Sequence, residues 1–421
     1  MKEYKEYKNS GISWIGKIPG HWELKRNKSF MSMTGYKVGE NADLFTLLSL
    51  TINGVIVRDI ESGKGKFPKD FGDYQVVKKN ELIFCLFDID ETPRTVGLVN
   101  TEGMITGAYT ALKVNKEYAL PKYIYYYYLC VDNIKALRPY YSGLRKTIRS
   151  DKFLQLYLPL PPVKEQLAIV SYIDEKTAKI DEYIDKKNKE IEALKEWKKA
   201  LIAHVVTKGL NTNTKMKKFK SLLSDETPSH WKIVRNKNIF ESHYEAVSSR
   251  KNIPLLSLTT EGVILRDVST GKGKFPKDFE MYNVVYPNNI IFCLFDLDET
   301  PRTVGLCYNY GMITNAYTTF KIKDTVLPEY ITNYYLAADN IKALRPYYSG
   351  LRKVVQSNRF NSIQIPLPPI EEQQEIVEYI DAATTKADKM IVELTNHVES
   401  MKEYKQQLIA DVVTGKINVQ P

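Results

Sequence analysis

The 421-residue chain has only four cysteines, at 85, 130, 293 and 307, and no two of them form a CxxC pair. That excludes a disulfide-stapled secreted scaffold and the thiolate pairs of a structural zinc site. Cys85 and Cys293 sit inside apolar runs, which predicts buried, reduced thiols of a cytoplasmic protein. The five histidines (21, 204, 230, 243 and 397) show no metal-ligand spacing and make no nucleophile–base set. No apolar run reaches the roughly 18 residues of a membrane span, and the start, MKEYKEYKNS, is charged, so no membrane contact is expected. Neither a GxxxxGK[ST] phosphate loop nor a GxGxxG after a strand occurs. An Asn/Asp-Pro-Pro-aromatic motif of amino-methyltransferases is missing as well. The chain is therefore expected to bind no metal or cofactor itself and to be no enzyme. Nuclease carboxylate–lysine signatures are too degenerate to be excluded in this way.

What the chain has instead is a long stretch, Pro159 to Val206, that opens with a proline knot and then runs without Gly or Pro until Gly209. Proline is tolerated only in the first turn of a helix, so the helix is predicted to begin near Val163. Its seam is Ile173, Thr177, Ile180, Ile184, Lys187, Ile191, Leu194, Lys198, Leu201 and Val205, apolar at seven of ten positions, with charged faces between. That is a coiled-coil pattern. At 1.5 Å per residue such a rod is roughly 60 Å long, too long and too polar for the core of a compact domain, and it needs a partner helix. The partner is in the same chain: PLPPIEEQ begins at Pro366, 207 positions after Pro159. Its seam, Ile380, Thr384, Ala387, Ile391, Leu394, Val398, Met401, Lys405, Leu408 and Val412, is apolar at eight of ten positions. An antiparallel pair acting as a fixed-length spacer is expected, with Lys198 and Lys405 setting register at some cost in stability.

The rest of the chain repeats on nearly the same period. LLSLTINGVIVRDIESGKGKFPK (47–69) returns at 255–277 with 17 of 23 residues identical, and DNIKALRPYYSGLRK (132–146) returns unchanged at 339–353. FCLFDIDETPRTVGL (84–98) returns at 292–306 with one change. In the first copy, strands are predicted over 46–50, 54–58, 81–87, 95–99 and 108–114, then a helix opened by Pro121 and an exit strand over 154–160. This is an α+β domain on a mainly antiparallel or mixed sheet. Trp14 and Trp22 are expected to staple the turn-rich N-terminal segment. In YIYYYY, Tyr123, Tyr127 and Tyr128 should pack inward and Tyr125 and Tyr126 lie on the surface. GLNTNTKMKKFK after the first long helix reads as a linker. The layout is a globular domain over 1–160, a helix over 161–210, a second globular domain over 211–367 and a helix over 368–421. The helices 175–206 and 382–413 agree at only 13 of 32 positions, so the globular domains look like recently copied cassettes on an older duplicated frame.

A net charge of +10 and a pI near 9.0 favour a polyanionic partner. Two basic loops per copy are the candidates. GKGKFPKDF carries Lys64, Lys66 and Lys69, repeated as Lys272, Lys274 and Lys277. RPYYSGLRK carries Arg138, Tyr140, Tyr141, Arg145 and Lys146, repeated as Arg345, Tyr347, Tyr348, Arg352 and Lys353. Lys and Arg suit phosphates, Arg can also grip guanine bidentately, and Tyr hydroxyls reach backbone or base edges. In FDIDETPRT, the acids Asp88, Asp90 and Glu91 lack the spacing of a calcium loop. They either orient Arg94 or accept a hydrogen bond from a cytosine amino group. Arg94 and Arg302 are the candidates for base contacts, with Thr95 and Thr303 beside them.

The opening YKNSGISWIGKIPGHWELKR, the PLPPVKEQ and PLPPIEEQ segments ahead of long helices, and the domain–helix–domain–helix order resemble the specificity subunit of type I restriction-modification systems. The resemblance covers essentially the whole chain. It implies two similar target recognition domains separated by two long antiparallel coiled-coil helices, pseudo-two-fold symmetric, each domain reading half of a split site in double-stranded DNA. It also implies that the helices dock two modification (methyltransferase) subunits, which carry S-adenosylmethionine and methylate adenine. Restriction (motor-nuclease) subunits would join them, and ATP and Mg would be bound by partner subunits. The family's two recognition domains usually differ, whereas here they are nearly the same. Near-identical domains related by a two-fold axis should read inverted copies of one half-site, with Ile52/Thr260 and Asn53/Glu261 as places where the halves differ. Two other readings compete: a nuclease with an unrecognised active site, and a coiled-coil adaptor whose charge is incidental.

Overall fold

The computed structural model describes residues 3–58, 71–247, 253–266, 279 and 281–420. Two compact units divide the chain: Met1–Lys187 with Asn396–Pro421 form unit 1, and Asn188–Thr395 form unit 2. Each unit holds one globular body together with a segment of both long helices. Those helices are Val163–Lys208 and Ile370–Val413. The first starts where the proline knot ends, with the Glu165 and Gln166 amides both bonded to the Pro162 carbonyl. It stops at Gly209, whose φ of +73° is the left-handed turn that a residue without Cβ makes at least cost.

In unit 1, Ile173, Ile180 and Ile184 are buried with Val398, Leu408, Ile409 and Val412. The two segments run antiparallel: the Tyr123 hydroxyl bonds the Pro159 carbonyl ahead of one helix (3.0 Å) and the Val413 carbonyl at the end of the other (3.3 Å). In unit 2, Ile202, Val205 and Val206 share a core with Ile376, Val377 and Ile380, and Tyr330 reaches the Val206 carbonyl. The two seam lysines each find an aspartate. Lys405 Nζ donates to Asp181 at 2.6 Å, and Lys198 donates to Asp388. Asp181 and Asp388 are repeat equivalents, so one pair is used twice, once in each unit. The lysines were visible as seam residues; the aspartates that satisfy them stand off the seam and were not.

Each globular body is α+β, and every strand pair described is antiparallel. In unit 1 a four-stranded sheet has the order Val96–Leu98, Leu82–Phe84, Thr110–Val114, Met31–Met33. Unit 2 repeats it with Val304–Leu306, Ile290–Phe292, Thr318–Ile322 and Phe240–Ser242. Hairpins at 48–57 and 256–265 and the helices Pro121–Asn133 and Pro328–Asn340 complete the repeat. The exit strand Tyr157–Leu160 pairs with Glu23–Arg26, a pairing across the whole domain that local pattern cannot reveal. The four cysteines are free and buried, and burial pushes their thiols up.

The Glu-Gln of PLPPxxEQ joins each long helix to its globular body. Gln166 is fully buried; its Oε1 accepts the Leu120 N–H (2.7 Å), and its Nε2 donates to the carbonyls of Pro161 (2.8 Å) and Tyr118 (3.0 Å). Leu120 caps the tyrosine-rich helix. Gln373 does the same for Leu327, Pro368 and Thr325. Glu165 accepts hydrogen bonds from the Tyr4 hydroxyl (2.6 Å), the Trp22 indole (3.0 Å) and His21 Nε2 (2.8 Å). Trp22 is thereby stapled as expected, and Trp14 packs on Tyr127. In unit 2 the clamp is looser: Glu372 accepts from His230, while the buried Trp231 Nε1–H has no partner among the described residues.

Replacing Gln373 by Ala leaves one buried and two part-buried backbone groups without their partner, so the unfolding free energy should fall by about 1–3 kcal/mol in urea titrations. A Lys405→Ala, Asp181→Ala double-mutant cycle should give a coupling below about 1 kcal/mol, because the pair is largely solvent-exposed. A small Gln373 effect would remove the clamp from the account of the fold.

Candidate nucleic-acid interface

In each unit an acidic turn leaves the central strand and meets the basic loop that follows the tyrosine-rich helix. Two backbone bonds seat the loop in unit 1: the Ile148 N–H donates to the Leu86 carbonyl (2.8 Å) and the Asp88 N–H to the Arg145 carbonyl (2.7 Å). Between them the chain turns back on itself. Ser142 and Thr147 exchange backbone hydrogen bonds at 3.0 and 3.1 Å, and the corners are Gly143 at φ +76° and Lys146 at φ +41°. A lysine in the left-handed region is strained and needs outside support. It has that support from Glu91 (2.6 Å) and Asp90 (3.1 Å).

The other bases of the loop are held the same way. Asp90 accepts from Arg138 Nε at 2.8 Å and from the Tyr141 hydroxyl at 3.0 Å; Arg145 Nη2 donates to Asp88 at 3.1 Å while its guanidinium lies 5.0 Å from the Phe87 ring centre. Unit 2 repeats this with Arg345 and Tyr348 on Asp298, Arg352 on Asp296 over Phe295, and Lys353 on Glu299. Hydrogen bonds from Arg138 and then Lys146 pull the Asp90 carboxyl down to about 2, and Arg345 and Lys353 do the same for Asp298. Arg138 and Arg145 nevertheless remain 61% and 72% exposed. Each commits one N–H to an acid, and the remaining donors face solvent in a fixed direction. Such a surface can grip phosphate or a base edge without first ordering its side chains. Tyr140, 46% exposed, stands on the same loop, and Tyr347 is half-buried.

Several expectations are corrected by this geometry. The acids orient Arg138, Arg145 and Lys146, not Arg94. Arg94 reaches inward to Asp132 (3.3 Å), Asn133 (3.0 Å) and the Ile52 carbonyl (3.4 Å). Arg302 bonds the carbonyls of Val304 (2.8 Å) and Thr260 (3.0 Å). Both arginines tie the tip of a hairpin to its body, and these donors are not offered to a base. Thr95 and Thr303 are each 2% exposed, and their N–H groups donate to Asp132 and Asp339, so neither side chain is presented at the surface. Tyr126, expected at the surface, is buried with its hydroxyl on Asp174. Lys64, Lys66, Lys69, Lys272, Lys274 and Lys277 lie outside the described residues. Sequence reasoning missed Asp132 and Asp339, buried carboxylates that hold a helix end, a strand and a lysine together. Their only signal was an acid closing an otherwise apolar helix.

The units differ beside Arg94 and Arg302. In unit 1, Lys122 pairs with Asp174 at 2.7 Å. The equivalents in unit 2 are Glu329 and Asp381, with Asn333 replacing Tyr126, and a cavity of about 230 Å³ opens there, lined also by Glu261, Arg302 and Tyr308. Burial and then the Glu329 charge push the Asp381 carboxyl up. The halves therefore diverge at more places than Ile52/Thr260 and Asn53/Glu261.

Residues 57–193 and 228–400 match the sequence model of the family described as the type I restriction modification DNA specificity domain. The chain belongs to that family. Over its whole length it is 24% identical to a Methanocaldococcus jannaschii protein named as the MjaX type I restriction enzyme specificity subunit, covering 99% of that protein. It is also 24% identical over 300 residues to the MjaVIII specificity subunit of the same organism, 63% of each chain. Among solved structures, a chain from work on complex assembly and conformational transition of the type I R-M system superposes with a TM-score of 0.67 at 13% identity, covering 95% of this chain and 99% of that one. The HsdS subunit from Thermoanaerobacter tengcongensis gives 0.52 at 16% identity, covering 95% and 98%. The type I specificity fold is thus shared across the chain, and its role is DNA sequence specificity within a restriction-modification system, as a non-catalytic subunit. No helix among the described residues is long and apolar enough to cross a membrane.

Asp90 and Asp298 titrate below a free carboxylate's value of about 4, so their support of the loop is complete above that pH and is lost as pH falls toward 2. Asp90→Asn with Asp298→Asn should therefore speed amide exchange across 138–147 and 345–354 at neutral pH. The wild-type chain should show the same loosening only in strong acid. Unchanged protection in the variant would take the acids out of the loop's support.

Proposed function

We propose that each unit reads one half of a split double-stranded DNA site, through the Arg138–Lys146 loop in unit 1 and the Arg345–Lys353 loop in unit 2. The observation that carries this is the set of outward guanidinium donors that acids of the same unit hold in place. Phosphate contacts from these donors position each unit on the duplex, and an arginine donor pair or a tyrosine hydroxyl reaches a base edge. Two copies of one reading loop imply two copies of one half-site. An inverted, near-palindromic arrangement suits a duplicated chain whose helix segments pair antiparallel within each unit. The helix pair sets the spacing, which a rod of roughly 60 Å limits to under about 18 base pairs.

The charged outer helix faces dock two modification subunits that carry S-adenosylmethionine and methylate adenine. Restriction subunits add ATP- and Mg-dependent motor and nuclease activity. The assembly works in the cytoplasm. The division of labour fits a chain without nucleotide-binding motifs, whose own contribution is recognition.

Adenine methylation mapping in cells expressing the chain with a modification subunit of its system should return a split inverted repeat with one methylated adenine per strand. Two unrelated half-sites would reject the inverted arrangement. Arg138→Ala with Arg145→Ala should make binding less salt-dependent, the slope falling by about one for each phosphate that these arginines grip. Arg94→Ala should leave that slope alone and lower thermal stability instead.

A further inference from the structure

The proposed reading loops carry one side chain that nothing in their own unit explains. Leu144 is fully exposed (104% of its reference area), and so is its repeat, Leu351 (102%). No other large apolar side chain among the described residues stands as free. Each sits at the tip of the turn between two paired residues, Ser142 and Thr147 in unit 1, and Ser349 and Val354 in unit 2.

The mount is narrow and rigid. Gly143 and Gly350, before the leucines, have no side chain and hold φ of +76°. Arg145 and Arg352, after them, fold back onto Asp88 and Asp296 and over the rings of Phe87 and Phe295. Lys146 and Lys353 turn down to Glu91 and Glu299. The Lys146 N–H closes the turn on the Gly143 carbonyl at 3.0 Å, and the Asp88 N–H anchors its base on the Arg145 carbonyl at 2.7 Å. Every neighbour is tied down, and the leucine alone projects.

We infer that Leu144 and Leu351 are apolar wedges that enter the duplex between adjacent base pairs, one in each half-site. This rests on the DNA-reading role proposed for the loops. A leucine that fills a pocket on a protein partner is ordinarily ringed by other apolar contacts. Here the neighbours along the chain are Ser142, Gly143, Arg145 and Lys146, and Arg145, 72% exposed with one N–H on Asp88, keeps donors that suit the phosphates beside a base step. Insertion of a single apolar side chain, flanked by basic ones, unstacks a step and kinks the helix axis. A preordered turn suits that task, because the tip does not have to be organised on binding.

The test uses the full chain with its modification subunits on a duplex carrying the mapped site. 2-Aminopurine is placed at successive steps away from the methylated adenine, and dyes at the ends report bending. The wild-type complex should raise 2-aminopurine fluorescence at one step in each half-site and bring the ends closer. Leu144→Ala with Leu351→Ala should lose both signals and bind on the order of tenfold more weakly, with the salt slope and melting curve unchanged. Met at both positions should restore the signals. A double-alanine complex that unstacks and bends the site like wild type overturns the wedge. So does a wild-type complex that binds its site specifically yet unstacks no such step. A complex with no sequence preference at all would instead bring down the DNA-reading role beneath it.

Discussion

Helix Val163–Lys208 buries its isoleucines along one seam between largely charged faces, and that seam must be covered wherever it runs. A helix of this length gains most of its stability from such cover rather than from its own propensity. Covering it fixes much else. The second helix must present a matching seam, the Lys198–Asp388 and Lys405–Asp181 pairs must coincide, and each globular body must meet two helix segments instead of one. The buried Gln166 and Gln373 then fasten each body to the start of a helix through backbone groups that would otherwise be unpaired.

The basic loops follow a different logic. Their charges are not left loose for a polyanion. Asp88, Asp90 and Glu91 draw Arg138, Arg145 and Lys146 into fixed positions and neutralise much of their field. General attraction to DNA then comes from the chain's overall positive charge, and the loops contribute direction. A side chain that is already ordered gives up little freedom on contact, so discrimination between sites can rest on geometry rather than on net charge.

Much of the frame was legible in the residues. The proline knots gave the helix starts, because a missing N–H and a fixed φ act locally. The hairpins and the strand at 110–114 followed from alternation and turn residues. Contacts between distant segments were not legible. Glu23–Arg26 pairs with Tyr157–Leu160 across the whole domain, and Asp90 meets Arg138 only after the sheet is built. Thr95 beside Arg94 read as a ligand contact, yet a buried aspartate on another element claims its amide. The sequence marks which side chains are capable of a role, and long-range packing decides which of them face outward.

Unit 2 is one uninterrupted stretch of chain, whereas unit 1 is finished by residues 396–421. On the ribosome this makes the second unit the first that can be complete. Ile173, Ile180 and Ile184 emerge early and wait for Val398, Leu408, Ile409 and Val412, with all of unit 2 made in between. Through that interval an apolar seam has no partner of its own, and strips of that kind pair with whatever is nearby. Synthesis order thus makes the first unit dependent on residues 396–421, which are translated after unit 2, and any chain cut short between them would carry an intact second unit and an open first one.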